Sequence, residues 1–388
     1  MGAIPRLIFI TKKKLSTKLQ YITMKKYYKQ IFTFYRMRIK KEKITDIENH
    51  QVYKITFTNK NNYVISFYNF GGYINNILIP YNNNSDEYED VLLGYINFEE
   101  YISDRSYLNC IIGRVCGRIA NGQFSLNDRT YELSSNDGPH HLHGGRSGFN
   151  KKVWYIDSLD ENSGEISCEL HYKSPHLEEG YPGNLECRSK YMLNDNNEFI
   201  IQFHVTTDHD TLVNLTNHNY WNFHGHKKFY QKILGHCLEI HSRSYCDIDK
   251  NFIPTGRINN TNKTKYDFSS FKKINNYELE DNGIDLCYIV EKYDGTLKNI
   301  ASLYSDKTKM GVQILSDQPC VQFYTGNMME QSYNGKFNKN YGYQYALCLE
   351  PQLFPNVFNQ KNIKCSILHK DKQYSSTTVM RLGNNFDE

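Results

Sequence analysis

The sequence lacks the features of membrane-spanning and secreted proteins. No stretch of about 18 apolar residues occurs anywhere, so no membrane-spanning helix is predicted. The apolar run at residues 7–10 is too short for the core of a signal peptide. None of the ten cysteines falls in a Cys-x-x-Cys arrangement, and a chain of 388 residues does not need disulfides for stability. A reducing, cytoplasmic location is therefore expected.

Acidic residues are missing from one segment. Residues 1–41 contain twelve Lys or Arg and no Asp or Glu, which leaves 34 basic against 42 acidic residues in the remainder. The remainder of the chain is mildly acidic and lacks the basic surface that binds nucleic acid, so we expect no nucleic-acid partner. We predict a basic N-terminal extension over residues 1–45, for which a disordered tail and an organelle presequence both remain open. Residues 46–388 are predicted to form one domain. We expect the protein to be a monomer or a weak homodimer.

Convincing amphipathic helical windows are also absent beyond the first residues, and short alternating segments take their place. In residues 53–57, Tyr53, Ile55 and Phe57 share one face of a predicted strand. Turn residues at Asn127-Asp128, and a cluster at 194–197, each separate two strand-like runs and predict antiparallel hairpins. The pattern favours an all-β fold, a large antiparallel β-sandwich.

Three short stretches carry candidate chemistry. The first is residues 142–145, Leu-His-Gly-Gly, in which His143 lies beside glycines that let a ligand approach the backbone. Taken alone, such a residue is most often a loop histidine bonded to a carbonyl. His140 and His141 lie nearby, but no carboxylate or cysteine has ligand-like spacing, so no metal is predicted.

The second stretch is residues 213–222. If the run is extended, Asn214, Thr216 and His218 share one face, which is unusually polar for the interior of a sandwich. A buried hydrogen-bond network and a sugar pocket would each supply partners for these groups. Tyr220 and Trp221 favour the pocket, because flat aromatic rings suit the C–H face of a pyranose.

The third stretch places Glu350 after an apolar run, at residues 345–352. A carboxylate at the rim of a core strand is partly desolvated, which raises its pKa and improves it as a base. An isolated glutamate is more often exposed or in an ion pair. Two histidines and one glutamate in one chain are nevertheless the groups that acid–base chemistry on a neutral polyol requires.

Over residues 50–383 the chain resembles the aldose 1-epimerases, also called galactose mutarotases. The resemblance lies in six motifs in the family's order: residues 113–122, 142–149, 214–222, 253–256, 321–327 and 349–352. It implies a large antiparallel sandwich with a sugar cleft and no cofactor. It also implies that Glu350 removes the anomeric hydroxyl proton, that His218 protonates the ring oxygen, and that His143 bonds near that oxygen.

The same resemblance implies substrate binding by Arg118, Asp285 and Gln322, with galactose or glucose as the substrate. Arg118 also fits a purely structural ion pair. Two positions depart from the family pattern: Gly117 stands where Asn usually precedes the arginine, and Leu286 follows the aspartate where His is common. We expect the first departure to alter affinity or selectivity among hydroxyls.

Three other functions compete with mutarotation. A non-catalytic carbohydrate-binding module would not need both an acid and a base. A hexose-6-phosphate 1-epimerase would need a basic phosphate site, and the cleft motifs show Arg118 but no clear cluster of Lys or Arg. A glycoside hydrolase normally uses two carboxylates, and only Glu350 stands in a catalytic-looking motif. The sequence therefore favours an aldose 1-epimerase acting on free hexoses.

Overall fold

A computed structural model describes residues 37–82, 85, 87–280, 282–329, 333–356 and 367–386. Within them the α-helices are short, α1 (Phe98–Ile102) and α2 (Asn276–Leu279). Single 3₁₀ turns lie at Ala120–Gly122, Phe149–Lys151, Glu178–Gly180 and Lys336–Asn338. None of the helices in this part of the chain has the length and apolar character needed to cross a membrane. The predicted all-β architecture is confirmed.

The strands follow one another in chain order as β1 (Arg38–Ile47), β2 (His50–Thr58), β3 (Val64–Tyr68), β4 (Ile74–Pro80), β5 (Tyr88–Asp90), β6 (Ile111–Ile112), β7 (Arg118–Ile119), β8 (Gln123–Leu126), β9 (Arg129–Glu132), β10 (His141–Leu142), β11 (Tyr155–Asn162), β12 (Glu165–Ser174), β13 (Leu185–Asn194), β14 (Glu198–Thr207), β15 (Thr211–Leu212), β16 (Thr216–Asn217), β17 (His236–Ile240), β18 (Ser244–Ile248), β19 (Pro254–Asn260), β20 (Lys272–Lys273), β21 (Asp285–Ile289), β22 (Lys298–Ser305), β23 (Gly311–Ser316), β24 (Cys320–Tyr324), β25 (Tyr333–Asn334), β26 (Asn340–Tyr341), β27 (Cys348–Gln352), β28 (Ile367–Leu368) and β29 (Gln373–Gly383).

Two antiparallel sheets form the sandwich. The larger has nine strands in the order β11-β12-β13-β14-β29-β23-β22-β17-β20, and the smaller has five in the order β19-β18-β21-β24-β27. We call the smaller one the cleft sheet. Side chains of β14, β23 and β29 meet those of β16 and β27 around a small internal cavity, so the two layers pack face to face.

Successive side chains of β27 point in turn to the core and to the opposite face of the cleft sheet. Leu349 and Pro351 point to the internal cavity, whereas Glu350 and Gln352 point to a large cleft. Glu350 lies in the middle of β27 and is 2% exposed. The predicted rim position is therefore wrong, and its carboxyl group is more completely desolvated than the sequence suggested.

The first five strands of the described chain form a further sheet, in the order β1-β2-β3-β4-β5. β1 pairs with β2 from Arg38–Thr58 to Ile47–His50, so the boundary predicted between residues 45 and 46 falls inside a strand. β1 carries many charged side chains, which are typical of an exposed edge strand. For that reason its sequence resembles that of a disordered tail. Residues 1–36 of the predicted extension lie outside the described residues.

Both predicted hairpins are confirmed. β8 and β9 are joined by Asn127 and Asp128, which both adopt positive φ (50° and 60°), as a two-residue I′ turn requires. β13 pairs with β14 from Leu185–Thr207 to Leu193–Phe199. Turn chemistry was therefore enough to identify these two connections.

Candidate active site

One cleft gathers all the residues that the sequence predicted for catalysis and binding. It holds about 170 Å³ of space and is open to solvent at one side. Its wall includes the six predicted residues, Arg118, His143, His218, Asp285, Gln322 and Glu350. Residues separated by up to 232 positions in the chain are thus brought to one surface by the cleft sheet and by the loops above it.

Strand pairing in the cleft sheet places polar side chains next to one another at the bottom of the cleft, which we call the polar floor. Gln322 on β24 pairs directly with Glu350 on β27, so their side chains share one face and lie next to each other. Asp285 on β21 accepts a hydrogen bond from Gln322 Nε2 at 2.6 Å. The floor therefore presents a row of amide and carboxyl groups to whatever enters the cleft.

His218 reaches this floor from the segment after β16. Backbone hydrogen bonds from His218 N to Cys110 O and from Asn109 N to His218 O, both 3.0 Å, anchor it. Its ring stacks on Tyr220 with centroids 4.9 Å apart. The outcome is a separation of 3.5 Å between His218 Nε2 and Glu350 Oε1.

His143 stands beside His218, with ring centroids 5.3 Å apart. The N–H of Gly117 donates to His143 Nδ1 at 3.2 Å, so the neutral ring carries its proton on Nε2. Gly144 has a φ of 85°, and a Cβ there would lie 1.8 Å from the Gly113 carbonyl oxygen. The glycine is thus needed for close approach of the protein's own backbone, and not for approach of a ligand as we predicted.

Burial dominates the electrostatics of the acid–base groups. It raises the pKa of Glu350 well above its ordinary value, with a further increase from the nearby Asp285 carboxyl. It lowers the pKa of His218 to about 4, and lowers that of His143 well below its ordinary range. Burial also raises the pKa of Asp285, although Arg118 and Gln322 oppose that shift. The cleft disfavours isolated charge on any of these groups.

Arg118 makes a structural ion pair and also lines the cleft. Its Nε lies 2.6 Å from Asp137 Oδ2, and its guanidinium lies 5.1 Å from the centre of the Phe252 ring. Arg118 nevertheless lines the cleft. The ion pair therefore positions a guanidinium whose remaining N–H groups can face a ligand.

Comparison with known proteins agrees with this arrangement. The family model "Aldose 1-epimerase" matches residues 53–381. The chain belongs to the aldose 1-epimerase family. Galactose mutarotase from Sus scrofa is 32% identical over 291 residues, 74% of this chain and 82% of its own. Aldose 1-epimerase from Haemophilus influenzae is 31% identical over 312 residues, 79% of this chain and 87% of its own.

Solved structures show the same fold. An aldose epimerase homologue from C. elegans has a TM-score of 0.75 at 24% identity, and covers 89% of this chain and 99% of its own. Galactose 1-epimerase from Lactobacillus acidophilus has a TM-score of 0.77 at 22% identity, and covers 90% of this chain and 99% of its own. The fold of this aldose 1-epimerase family member is therefore a galactose mutarotase-like sandwich.

One aromatic residue of this epimerase is not where the sequence placed it. Trp221 is fully buried, stacks on Phe223 with centroids 5.3 Å apart and lines the internal cavity, whereas Tyr220 lines the cleft. The shared face predicted for Thr216 and His218 is also wrong. Only Thr216–Asn217 is a strand, so the alternation ends before His218.

Some residues in or beside the cleft carried no sequence signal that we recognised. Tyr107 and Phe252 line the cleft, where Tyr107 contacts His143 with ring centroids 4.8 Å apart and Phe252 lies next to Arg118. Asp137 does not line the cleft but forms an ion pair with Arg118. They lie in loops outside the motifs, where neither periodicity nor spacing marks them. Tyr324 lies inside the motif at 321–327, and its position two residues after Gln322 on β24 was the usable signal.

The two departures from the family pattern fall in different environments. Gly117 lines the cleft at a φ of 71°, and the nearest atom to an added Cβ would be Pro355 Cβ at 3.5 Å. Leu286 points into the hydrophobic core, away from the cleft. The first departure therefore alters the cleft surface, while the second alters packing behind it.

The histidines considered for a metal cluster are separated by their own hydrogen bonds. His141 Nδ1 bonds Ser134 O and its Nε2 bonds the Tyr181 hydroxyl, both at 2.7 Å. His140 Nδ1 accepts from Asn121 N at 3.1 Å. Both nitrogens of His141 are thus engaged, and the triplet does not present three free donors to one ion.

Proposed function

We propose that the protein interconverts the α and β anomers of free hexoses such as galactose and glucose. The observation that carries this proposal is the 3.5 Å separation of His218 Nε2 and Glu350 Oε1 on one cleft wall. The anomeric oxygen and the ring oxygen of a pyranose are both bonded to C1. An acid and a base set this close together reach both oxygens of one sugar by hydrogen bonds.

In the proposed reaction the Glu350 carboxylate accepts the proton of the anomeric hydroxyl, and the O1–C1 bond becomes the aldehyde double bond. The bond from C1 to the ring oxygen breaks, and its electron pair stays on that oxygen, which takes a proton from the His218 imidazolium. After rotation about C1–C2 the hydroxyl attacks the other face of the aldehyde. Its proton returns to His218, and the new anomeric oxygen takes the proton from Glu350.

Burial of the pair suits this exchange. The carboxylate–imidazolium form and the carboxyl–imidazole form have the same net charge and the same number of protons. Burial raises the pKa of Glu350 and lowers that of His218, and both shifts favour the second form. In the charged form the two opposite charges lie next to each other, so their attraction offsets part of the desolvation cost of forming it.

The other predicted residues would position the sugar. His143 carries its proton on Nε2 and can donate to an oxygen near His218. Asp285, Gln322 and Arg118 offer acceptors and donors to neighbouring hydroxyl groups, because they lie on the same cleft wall. Paired donors and acceptors of this kind orient a polyol as well as bind it.

Polarimetry of freshly dissolved α-D-galactose and α-D-glucose tests the proposal. We expect the wild-type protein to accelerate the change in rotation over the spontaneous rate, and Glu350→Gln and His218→Ala to abolish most of the acceleration. Glu87→Gln and His50→Ala change exposed residues outside the cleft and serve as controls. Wild-type protein that leaves the spontaneous rate unchanged with both sugars would contradict the assignment.

A hexose 6-phosphate is a second candidate substrate. Arg105, which we did not predict, is exposed and lines the cleft together with Arg118. Two guanidinium groups can bind a phosphate. If the phosphorylated sugar is the substrate, kcat/KM for glucose 6-phosphate should exceed that for glucose, and Arg105→Gln should lower only the former. Equal loss for both sugars would exclude a phosphate-binding role.

We also propose that the protein works in a reducing compartment such as the cytosol. All nine cysteines in the described residues are unpaired. Cytosolic proteins keep their thiols reduced. A monomer or weak homodimer remains our expectation for its assembly, and sedimentation at several concentrations would test it.

A further inference from the structure

Three different donor atoms meet beside the acid–base pair. His218 Nε2, Cys348 Sγ and a carboxylate oxygen of Glu350 all lie within 4.8 Å of one another, and the three side chains are buried. Cys348 and Glu350 are two residues apart on β27, so they share one face of the strand. The proton transfers proposed above do not use the Cys348 thiol.

We propose that these three atoms form an inhibitory site for a borderline-soft divalent cation of the Zn²⁺ type. Tetrahedral zinc with ordinary bond lengths places a nitrogen, an oxygen and a sulfur ligand roughly 3.3–3.6 Å apart. The distance from His218 Nε2 to Glu350 Oε1 is 3.5 Å. Cys348 Sγ lies within 4.8 Å of both atoms, so the third ligand has to move inward when the ion binds.

The donor set and its charge also suit such an ion. One imidazole, one thiolate and one carboxylate are three protein ligands of the types that bind zinc, and the open cleft leaves the fourth position for water. The two anionic ligands neutralise a divalent cation, so a buried complex carries no net charge. A ligating thiol and carboxyl group must be deprotonated, so binding releases protons to solvent and strengthens as pH rises.

The surroundings indicate an inhibitor and not a resident cofactor. A histidine that holds a resident zinc ion usually has its other ring nitrogen bonded to a carbonyl or carboxylate. Within the described residues His218 Nδ1 has no hydrogen-bond partner. An ion at this site would also occupy both proton-transfer groups. The inhibitory effect therefore rests on the proposed function, whereas the binding of the ion does not.

Inhibition of mutarotation by ZnCl₂ is the first test. We expect inhibition that is competitive with galactose, reversed by EDTA and stronger at pH 8 than at pH 6. In Cys348→Ser and Cys348→Ala, the Zn²⁺ concentration for half-inhibition of each variant's own rate should rise at least about tenfold. Cys287→Ser is the matched control, because Cys287 is a buried thiol that lines the cleft outside the triplet, and we expect no rise.

Binding of Co²⁺ provides a readout that does not depend on turnover. We expect a thiolate-to-cobalt charge-transfer band in wild-type protein and in Cys287→Ser, but not in either Cys348 variant. Persistence of the band in both Cys348 variants, or its loss in Cys287→Ser, would overturn the assignment. A band in a protein without mutarotase activity would refute the proposed function and leave the metal site standing.

Folding of the variants is checked by thermal unfolding. Should neither Cys348 variant fold, Glu350→Gln is the replacement probe, because it also removes one of the three ligands. Unchanged Co²⁺ affinity in that variant would overturn the site, and at least about tenfold weaker binding would support it.

Discussion

The cleft wall and the wall of the internal cavity both include buried polar side chains, and both are built from the same chain segments. His218 faces the cleft and is 5% exposed, while Asn219, its neighbour, faces the internal cavity and is 3% exposed. Glu350 and Leu349 divide in the same way on β27. Burial of a polar side chain therefore does not distinguish a reactive group from a structural one.

The difference lies in what shares each space. His218 meets a carboxyl group with a raised pKa in a cleft large enough for a ligand. Around the internal cavity, the described polar atoms without partners include Thr216 Oγ1, both amide atoms of Asn217 and Trp221 Nε1. No ionisable group among the residues that the structure describes lines that cavity. Proton transfer requires a titratable pair, and of these two described surfaces the cleft is the one that supplies it.

The largest effect should come from the cleft side of β27. We expect Glu350→Gln to lower the rate of mutarotation by about 10²–10⁴-fold, because it removes the proposed base. The free energy of unfolding should change little, since a neutral amide replaces a carboxyl group whose charged form burial disfavours. Polarimetry and urea unfolding measure the two quantities. A fall in stability with retained activity would reverse the comparison.

The core side of the same strand should respond in the opposite manner. Leu349→Ala is expected to lower the free energy of unfolding by about 2–5 kcal/mol, because it leaves a cavity in the sandwich core. The rate per folded molecule should stay within a few-fold of wild type. Urea denaturation, with the folded fraction used to correct the polarimetric rate, provides the measurement. Loss of activity as large as that of Glu350→Gln would show that the two faces are not independent.

A fall in pH should affect stability through His218, which lies on the cleft side. Its pKa falls from 6.5 to about 4 on folding, so between these values the folded protein binds fewer protons than the unfolded chain. Stability is then lost as pH falls through this window, by on the order of 3 kcal/mol. His218→Gln should lose less stability than wild type between pH 6.5 and 4. Parallel curves from urea unfolding would show that the histidine does not titrate as the structure indicates.

The smallest effect is expected at the internal cavity. Thr216→Val removes a buried hydroxyl that has no partner among the described residues, and keeps the side-chain shape. We expect a gain in stability of about 1 kcal/mol or less and no change in the rate of mutarotation. Thermal unfolding and polarimetry are sufficient to measure both. A marked loss of activity would mean that the internal cavity takes part in positioning His218.

Short motifs were enough to predict six residues of the cleft, while several of their neighbours were not predicted. Turn residues and alternation gave the two hairpins, because both depend on local backbone chemistry. Asp137 was missed, because its pairing with Arg118 depends on how a loop meets β7 in space. Trp221 was misplaced, because the strand preceding it is only two residues long. Local patterns lose their value where the regular structure ends.

The first strand decides where a shortened chain can begin. β1 covers one edge of β2 with a ladder that runs from Arg38 to Ile47. A chain trimmed to residue 46 would leave the N–H and C=O groups of β2 open to pairing with another molecule, which invites aggregation. A chain that starts at Met37 would keep β1, whose lysines protect the edge of the sheet. It is therefore the better choice for preparing the protein at high concentration.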